Sequence, residues 1–461
     1  MLFTGLAMAT VWSVPDDGPL NQVCANAENG DEILITEDQG TVSCDAEAVN
    51  LTVRSDVEGT PRAVYAMRLG NGCTVTDLRF DGKVTSAALD LQGDDCTVER
   101  VTITNAPQHG IRIRDGVHRL TDIEVSGLLN GQALWIEGSS TRNTSVTLDG
   151  CLLYDNDRTP ILVNGFGKGV TLDVRDCNVR NNVGSDGGGV ALEGDSTLLV
   201  TDTIFQSNQA DAGGAIQLES TTQATLTNVN LFANAAGMGS AIYSEGADLT
   251  LLGSSVVANS PSEAINIALG GAVLQLTDTM FCANEGPAVF AAAQVQAERV
   301  LFHDNGEPAL EIRLSIESTL SHLSLVDDGA RFDSQDMTVS NTVFGLGTPE
   351  GDFQGDHNAF VGVGPDGTYV IDDPGFWAGF SPGDCSTLPY LRSDSPLAGS
   401  GRDGANIGAF GVRSVYTPGP QSGGCSMSSA PWWCALLAML AARRGSGGSA
   451  RSRRRLAPQP R

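Results

Sequence analysis

The chain has 461 residues, enough for a large core, and a formal net charge of −28. The charge is uneven: seven Arg and no acid follow Tyr416, leaving 20 basic against 55 acidic residues up to that point, a net charge near −35. Such a body repels nucleic-acid phosphates and anionic lipid, which excludes nucleic acid as a partner. The acid surplus is either a solvated surface or an attraction for divalent cations. With 55 Gly, and Lys83 and Lys168 as the only lysines, the composition suits short strands joined by tight turns.

At the start, Leu2 to Trp12 is apolar and is followed by Ser13-Val14-Pro15-Asp16-Asp17. This suits a secretory signal over residues 1–17, cleaved near Ala9 or Ser13; a first buried strand or helix is the alternative. Residues 18–72 read as an N-terminal cap and first coil. Within them Ala27 to Ile35 supplies a Gly turn and a strand, bracketed by Cys24 and Cys44. A cap is needed because the end coil of a β-solenoid is an exposed sheet edge.

Residues 73–345 repeat. Leu198 to Gln223 returns about 26 residues later: Phe205 as Phe232, Asn208 as Asn234, Gly213-Gly214-Ala215-Ile216 as Gly239-Ser240-Ala241-Ile242, and Glu219 as Glu245. A period of this size marks a solenoid. Short polar turns align at Asp77, Glu99, Asp122, Asp149, Asp176, Asp202, Asn228, Ser254, Asp278, Arg299, Ser321 and Asn341. A second row holds Asn105, Asn130, Asn156, Asn182, Asn208, Asn234, Asn259, Asn284 and Asn305. Asn accepts left-handed backbone and bonds neighbouring backbone, so this row predicts stacked, hydrogen-bonded turns. Between the turns, segments of three to six residues alternate: in Ala215 to Glu219, Ile216 and Leu218 face inward while Ala215, Gln217 and Glu219 face outward. No apolar period of 3.6 residues is present. The pattern predicts an all-β, single-stranded right-handed parallel β-helix of about twelve coils, with three short strands per coil.

Ile204-Phe205-Gln206-Ser207-Asn208 followed by Gly213-Gly214-Ala215-Ile216 resembles the FxxN and GGAI signatures of polymorphic outer-membrane-protein repeats. Residues 73–345 as a whole resemble the pectin-lyase-like right-handed β-helix superfamily. That resemblance implies the fold but leaves lyases, glycosidases, epimerases, adhesins and tailspikes all open. Beyond Phe344 the period fails. Asp372-Asp373-Pro374-Gly375-Phe376, Leu391 to Leu397 and Asn406-Ile407-Gly408-Ala409-Phe410-Gly411 resemble the choice-of-anchor closing segment of bacterial surface β-helices, with Asn406 where Asp is usual. Residues 346–416 are therefore expected to plug the last coil.

Residues 417–429 form a Pro-, Gly- and Ser-rich linker containing Cys425; 430–442 is a short apolar run and 443–461 is Arg-rich. Thirteen apolar residues fall short of a bilayer span, and the Arg cluster places the preceding chain outside the membrane. The order Cys motif, apolar run, basic end resembles the MYXO-CTERM sorting tail. This implies processing at Cys425 by a sorting protease of the envelope, and display on the surface of a myxobacterial-type Gram-negative outer membrane. A plain hydrophobic membrane anchor is the alternative.

Ten Cys in an exported chain point to disulfides. Cys24–Cys44 is the first expected bridge, Cys73–Cys96 the second and Cys282–Cys385 the third. Cys151 and Cys177 stand one coil apart and are read either as a bridge or as stacked thiols. No Cys/His cluster has zinc spacing.

One outward column could carry function: Ile136-Glu137-Gly138, Val163-Asn164-Gly165, Leu192-Glu193-Gly194, Leu218-Glu219-Ser220 and Ser244-Glu245-Gly246. Glu193, Glu219 and Glu245 are 26 apart in both steps and should stack one coil rise apart, about 4.8 Å. Arg112, Arg114, Trp135, Gln217 and Tyr243 share that face. Aromatics suit sugar faces and polar groups suit hydroxyls. A calcium site at Glu193, Glu219 and Glu245 would relieve the like charges, and two carboxylates about 5 Å apart match a retaining glycosidase. The plainer reading is a solvated polar residue closing each strand, copied with the repeat. Gln108 to Arg114 is faintly similar to the GHG and RxK elements of polygalacturonases, with Gln108 and Arg114 departing from both. The sequence thus leads to a non-catalytic surface β-helix that contacts extracellular polysaccharide, matrix or cells. A polysaccharide lyase, hydrolase or epimerase, and a structural rod, are the alternatives.

Overall fold

The computed structural model describes residues 9–46, 48–81, 87–106, 108–313, 317–326, 328–333, 336–345, 349–361, 369–371, 385, 395–400 and 405–408. These form a right-handed parallel β-solenoid of about 14 turns. Every strand pair is parallel and joins one coil to the next: for example, Gln223–Thr227 lies on Asp248–Leu252, Asn230–Phe232 on Ser255–Val257, and Ile242–Ser244 on Ile265–Ile267. Three sheets therefore run the length of the rod. The first contains Gln223–Thr227, the second Asn230–Phe232 and the third Ile242–Ser244.

The coil count exceeds twelve because pairing begins earlier than expected. Val11–Val14, inside the stretch read as a signal, is the first strand and pairs with Glu32–Ile35, which pairs with Thr52–Ser55. Val14 is fully buried, and the Trp12 Nε1–H donates to Asp31 at 2.9 Å. Residues 11–14 thus form a paired strand that buries Val14 and leaves Val11 exposed. The open end is covered by the helix Leu20–Asn26, whose Leu20, Val23 and Cys24 are buried and whose Cys24 is bridged to Cys44.

Two corners bend each coil, and each uses one left-handed residue. The first corner runs Asp77, Arg100, Asp122, Gly150, Asp176, Asp202, Asn228, Gly253, Asp278, Arg299, His322 and Asn341. The second runs Asn105, Gly127, Asp155, Asn181, Ser207, Ala233, Ala258, Ala283 and Asp304. In both, φ lies between 51° and 68°. Glu99, Asp149, Ser254 and Ser321 are thus one residue off the corner. The expected Asn row splits in two. Asn105 is a left-handed corner residue, and Asn130 is exposed outside the ladder. The ladder itself occupies the position after the second corner: Asn156, Asn182, Asn208, Asn234, Asn259, Asn284 and Asn305. In each step from Asn156 the amide Nδ2 donates to the next Oδ1 at 2.7–3.1 Å. Asn305 ends the series by donating to both oxygens of Asp328.

The core is a stack of like residues. Phe205 is fully buried and lies in register with Leu231, not Phe232, which occupies the outward column with Gln206. At the Gly-Gly motif, Gly213 and Gly239 take φ of 64° and 58°, and a Cβ at either would collide with the carbonyl of Ile216 or Ile242. Disulfides join Cys73–Cys96, Cys151–Cys177 and Cys282–Cys385.

Cys385 reports where the C-terminal segment goes. The outward positions of the second sheet are polar early in the rod, at Arg180 and Gln206, but turn apolar at Val257, Met280, Cys282, Leu301 and Val326. These five are buried together, with Phe232 and Cys385 both packed against them. Further on, Leu397 and Ile407 bury Val343 and Ala359 on the same face, and the Gly408 N–H donates to Asn341. Within the segment, Glu350–Gly351, Ala359–Val361 and Tyr369–Ile371 continue the coils as paired strands, whereas Cys385, Leu397 and Ile407 lie along the side of the second sheet. Outward apolar residues there need a cover. Residues 417–461, with Cys425, the apolar run and the Arg cluster, lie outside the described residues.

Candidate functional site

The third sheet positions the candidate residues, and its register is continuous. One outward column runs Asp45, Arg68, Asp90, Arg112, Trp135, Leu162, Ala191, Gln217, Tyr243, Asn266, Phe290, Glu311, Arg331 and Glu350. Beside it, Glu137, Asn164 and Glu193 stack in register, and Glu219 and Glu245 continue the series through their N–H bonds to Leu192 and Leu218. The predicted set is thus brought onto one face, but in two adjacent columns. Asn266 and Phe290 belong to it as well, and the sequence reading missed them.

The ends of this face are neutralised internally. The Arg112 guanidinium lies 4.3 Å from the Trp135 ring centroid and pairs with Glu137 at 2.9 Å, while the His109 ring packs against Trp135 at 4.5 Å, tilted by 42°. Burial, and then the Arg112 charge, depresses the His109 pKa, so this imidazole stays neutral. Arg114 pairs with Asp90, Arg313 with Glu311, and Arg331 with both Glu311 and Glu350. Arg313 also caps the Phe290 ring at 5.1 Å.

The middle is different. From residue 181 to residue 298 there is no Lys, Arg or His, against twelve Asp and Glu. Glu193 is half-buried; burial raises its pKa, and the charges of Glu219 and Asp186 push it the same way. Glu219 Oε2 accepts the Gly194 N–H at 3.1 Å, so this carboxylate also closes the turn of the preceding coil. Among the described residues no group of three or more His, Cys, Asp or Glu is placed to hold a metal ion, and Glu193, Glu219 and Glu245 do not converge on one. Tyr243 is only 9 % exposed; burial, then the Glu245 charge, raises its pKa. Gln217 Oε1 and Asn266 Oδ1, one coil to either side, are buried with no hydrogen-bond partner among the described residues.

Two banks flank the middle coils. On one side Gln209–Ala212, Ala235–Met238 and Ser260–Pro261 form a small parallel sheet in the loops leading into the third sheet. On the other are the turns after the third-sheet strands, with Phe166 and Leu269 exposed at their tips.

This arrangement defines the class: a right-handed parallel β-helix with a lined face on its third sheet. The family model for the right handed beta helix region matches residues 88–281. No curated protein matches the chain in sequence. Solved structures similar to it include the PL6 family alginate lyase AlyGC, with a TM-score of 0.38 and 10% identity over 79% of this chain and 53% of that one. The alginate lyase AlyF-OU02 in complex with G6 gives 0.32 and 10% over 88% and 95%, and a PL6 alginate lyase with a trisaccharide gives 0.32 and 11% over 88% and 96%. The chain spans about half the length of the first of these.

Proposed function

We propose that this protein is a cell-surface rod whose third sheet binds an extended extracellular glycan without cleaving it. The observation that carries this reading is the single outward column in which Gln217, Tyr243, Asn266 and Phe290 stand on four successive coils, with Trp135 three coils before Gln217 beyond Leu162 and Ala191. Aromatic faces suit the apolar faces of sugars, and amide and hydroxyl groups between them suit sugar hydroxyls. A repeating lattice of such groups fits a repeating polymer. Binding rather than cleavage is supported by the engagement of two of the carboxylates: Glu137 is paired with Arg112, and one oxygen of Glu219 accepts the Gly194 N–H. Surface display rests on the sorting-like tail at Cys425.

The test incubates the purified protein, and cells expressing it, with neutral, uronate and amino polysaccharides. Retention of a polymer by both, with no new reducing ends or unsaturated products, is expected. Products that disappear in the Glu193→Gln/Glu219→Gln/Glu245→Gln variant would make the rod a lyase or hydrolase, and retention of no polymer would leave it a structural spacer.

A further inference from the structure

The middle of the third sheet has an unusual inventory. It offers hydrogen-bond acceptors and negative charge, and it contains no basic residue of its own. Tyr243 is more than nine-tenths buried, and its hydroxyl is not among the closed-off atoms that lack a partner, which leaves the tip of the side chain for the surface. The orphaned Gln217 Oε1 and Asn266 Oδ1 flank it in the same column. Glu219 and Glu245 stand in the adjacent column, and Glu263 accepts from Asn266 Nδ2 at 3.2 Å, which leaves the Asn266 oxygen as the unused end of that amide. A buried acceptor without a donor costs about 1–3 kcal/mol, and because both amide oxygens are closed to solvent a ligand recovers that cost only as the Gln217 and Asn266 side chains turn toward it.

We infer that the Gln217–Tyr243–Asn266 patch, with Glu219, Glu245 and Glu263, recognises amino-sugar units bearing free, protonated amines within the glycan bound by this face. The inference rests on the glycan-binding reading above and specifies its ligand. Uronates are disfavoured because every carboxylate added to this face meets others, while the arginines of the same column are paired with Asp or Glu. A lysine side chain carries ammonium donors only. An amino sugar carries an ammonium for the carboxylates and neutral hydroxyls for the two amide oxygens and the tyrosine. Protein partners rich in lysine are therefore the weaker match.

Isothermal titration of the intact protein with glucosamine oligomers, N-acetylglucosamine oligomers, cello-oligomers and oligolysine tests this at mildly acidic pH. Glucosamine oligomers should bind about tenfold more tightly than their N-acetylated counterparts, the difference of one charge-assisted hydrogen bond. Tyr243→Phe, which keeps the ring and its packing, should weaken that binding severalfold with unchanged melting temperature. Equal affinity for the acetylated oligomer, or for oligolysine, overturns the inference. Binding of cello-oligomers but not of glucosamine oligomers overturns it while leaving the glycan-binding reading intact. Failure of every glycan overturns both.

Discussion

Glu193 shows how one residue can belong to the fold and to a site at once. Its neighbours along the column are Asn164 and Glu219, so it shares its face with at least one like charge while half-buried. Both conditions favour the protonated carboxyl, and its pKa lies above the ordinary 4.5. The folded protein therefore holds this proton at pH values where the unfolded chain has released it. Stability contributed by the protonated form is present at low pH and is lost as pH rises through the raised value. Glu193→Gln removes the charge and keeps the shape. The variant should melt at a higher temperature than the wild type near neutral pH, and the difference should shrink as pH falls toward the ordinary glutamate range. Thermal unfolding across that range checks this; an equal loss of stability at every pH would show that the carboxylate is structural. The column was legible in the sequence because Glu193, Glu219 and Glu245 recur at one spacing. The continuation of the adjacent Gln217–Tyr243 column through Asn266 and Phe290 was not, since the steps from Tyr243 shorten to 23 and 24 residues and the residue types change. The pairing of Arg112 with Glu137 was also hidden: alternation puts both on one face, but only the coil-to-coil register makes them neighbours.

At the scale of elements, the corners carry more specificity than the strands. A three-residue strand such as Ile216–Leu218 could slip along its neighbour, and a slip of one residue would exchange inside for outside. The Asn ladder prevents this, because each amide bonds up and down the stack. Asn208 donates to Val179 O at 2.8 Å and to Asn234 Oδ1 at 3.1 Å, and accepts from both Asn182 N and Asn182 Nδ2. Ala at three successive left-handed corners, 233, 258 and 283, shows that the stack dictates the backbone there and not the residue's own preference. Asn208→Ala leaves several buried groups unpaired and should cost about 3 kcal/mol in urea-induced unfolding, whereas a loss under about 1 kcal/mol would mean that water replaces the amide. The period of 26 made these coils readable. It did not separate the ladder from the corner one residue before it, because both positions accept Asn, as Asn181-Asn182 shows. Phe232 misled in the same way: it repeats the residue type of Phe205 but sits one residue out of register, packed against the outward apolar residues of the second sheet.

Over the whole molecule, charge is partitioned along the rod axis. Toward the N-terminus the third sheet alternates as Asp45, Arg68, Asp90 and Arg112, and toward the other end as Glu311, Arg331 and Glu350. Opposite charges one coil apart attract, and salt weakens that attraction. Between them lie 118 residues with twelve acids and no base, where salt relieves repulsion instead. In a globular core such opposed effects would merge into one unfolding transition. A solenoid is quasi-one-dimensional, so its segments report local stability separately. Hydrogen exchange at rising NaCl should therefore change sign along the chain. Amides of the third-sheet segments 190–192, Ile216–Leu218 and Ile242–Ser244 should gain protection severalfold. Those of Arg62–Leu69, His109–Ile113 and Ala330–Asp333 should hold or lose it. A uniform response would show that the charge blocks do not act locally. The same experiment with a bound glucosamine oligomer in place of salt should protect the middle strands alone, because a cationic ligand neutralises the part of the third sheet that has no counter-charge of its own.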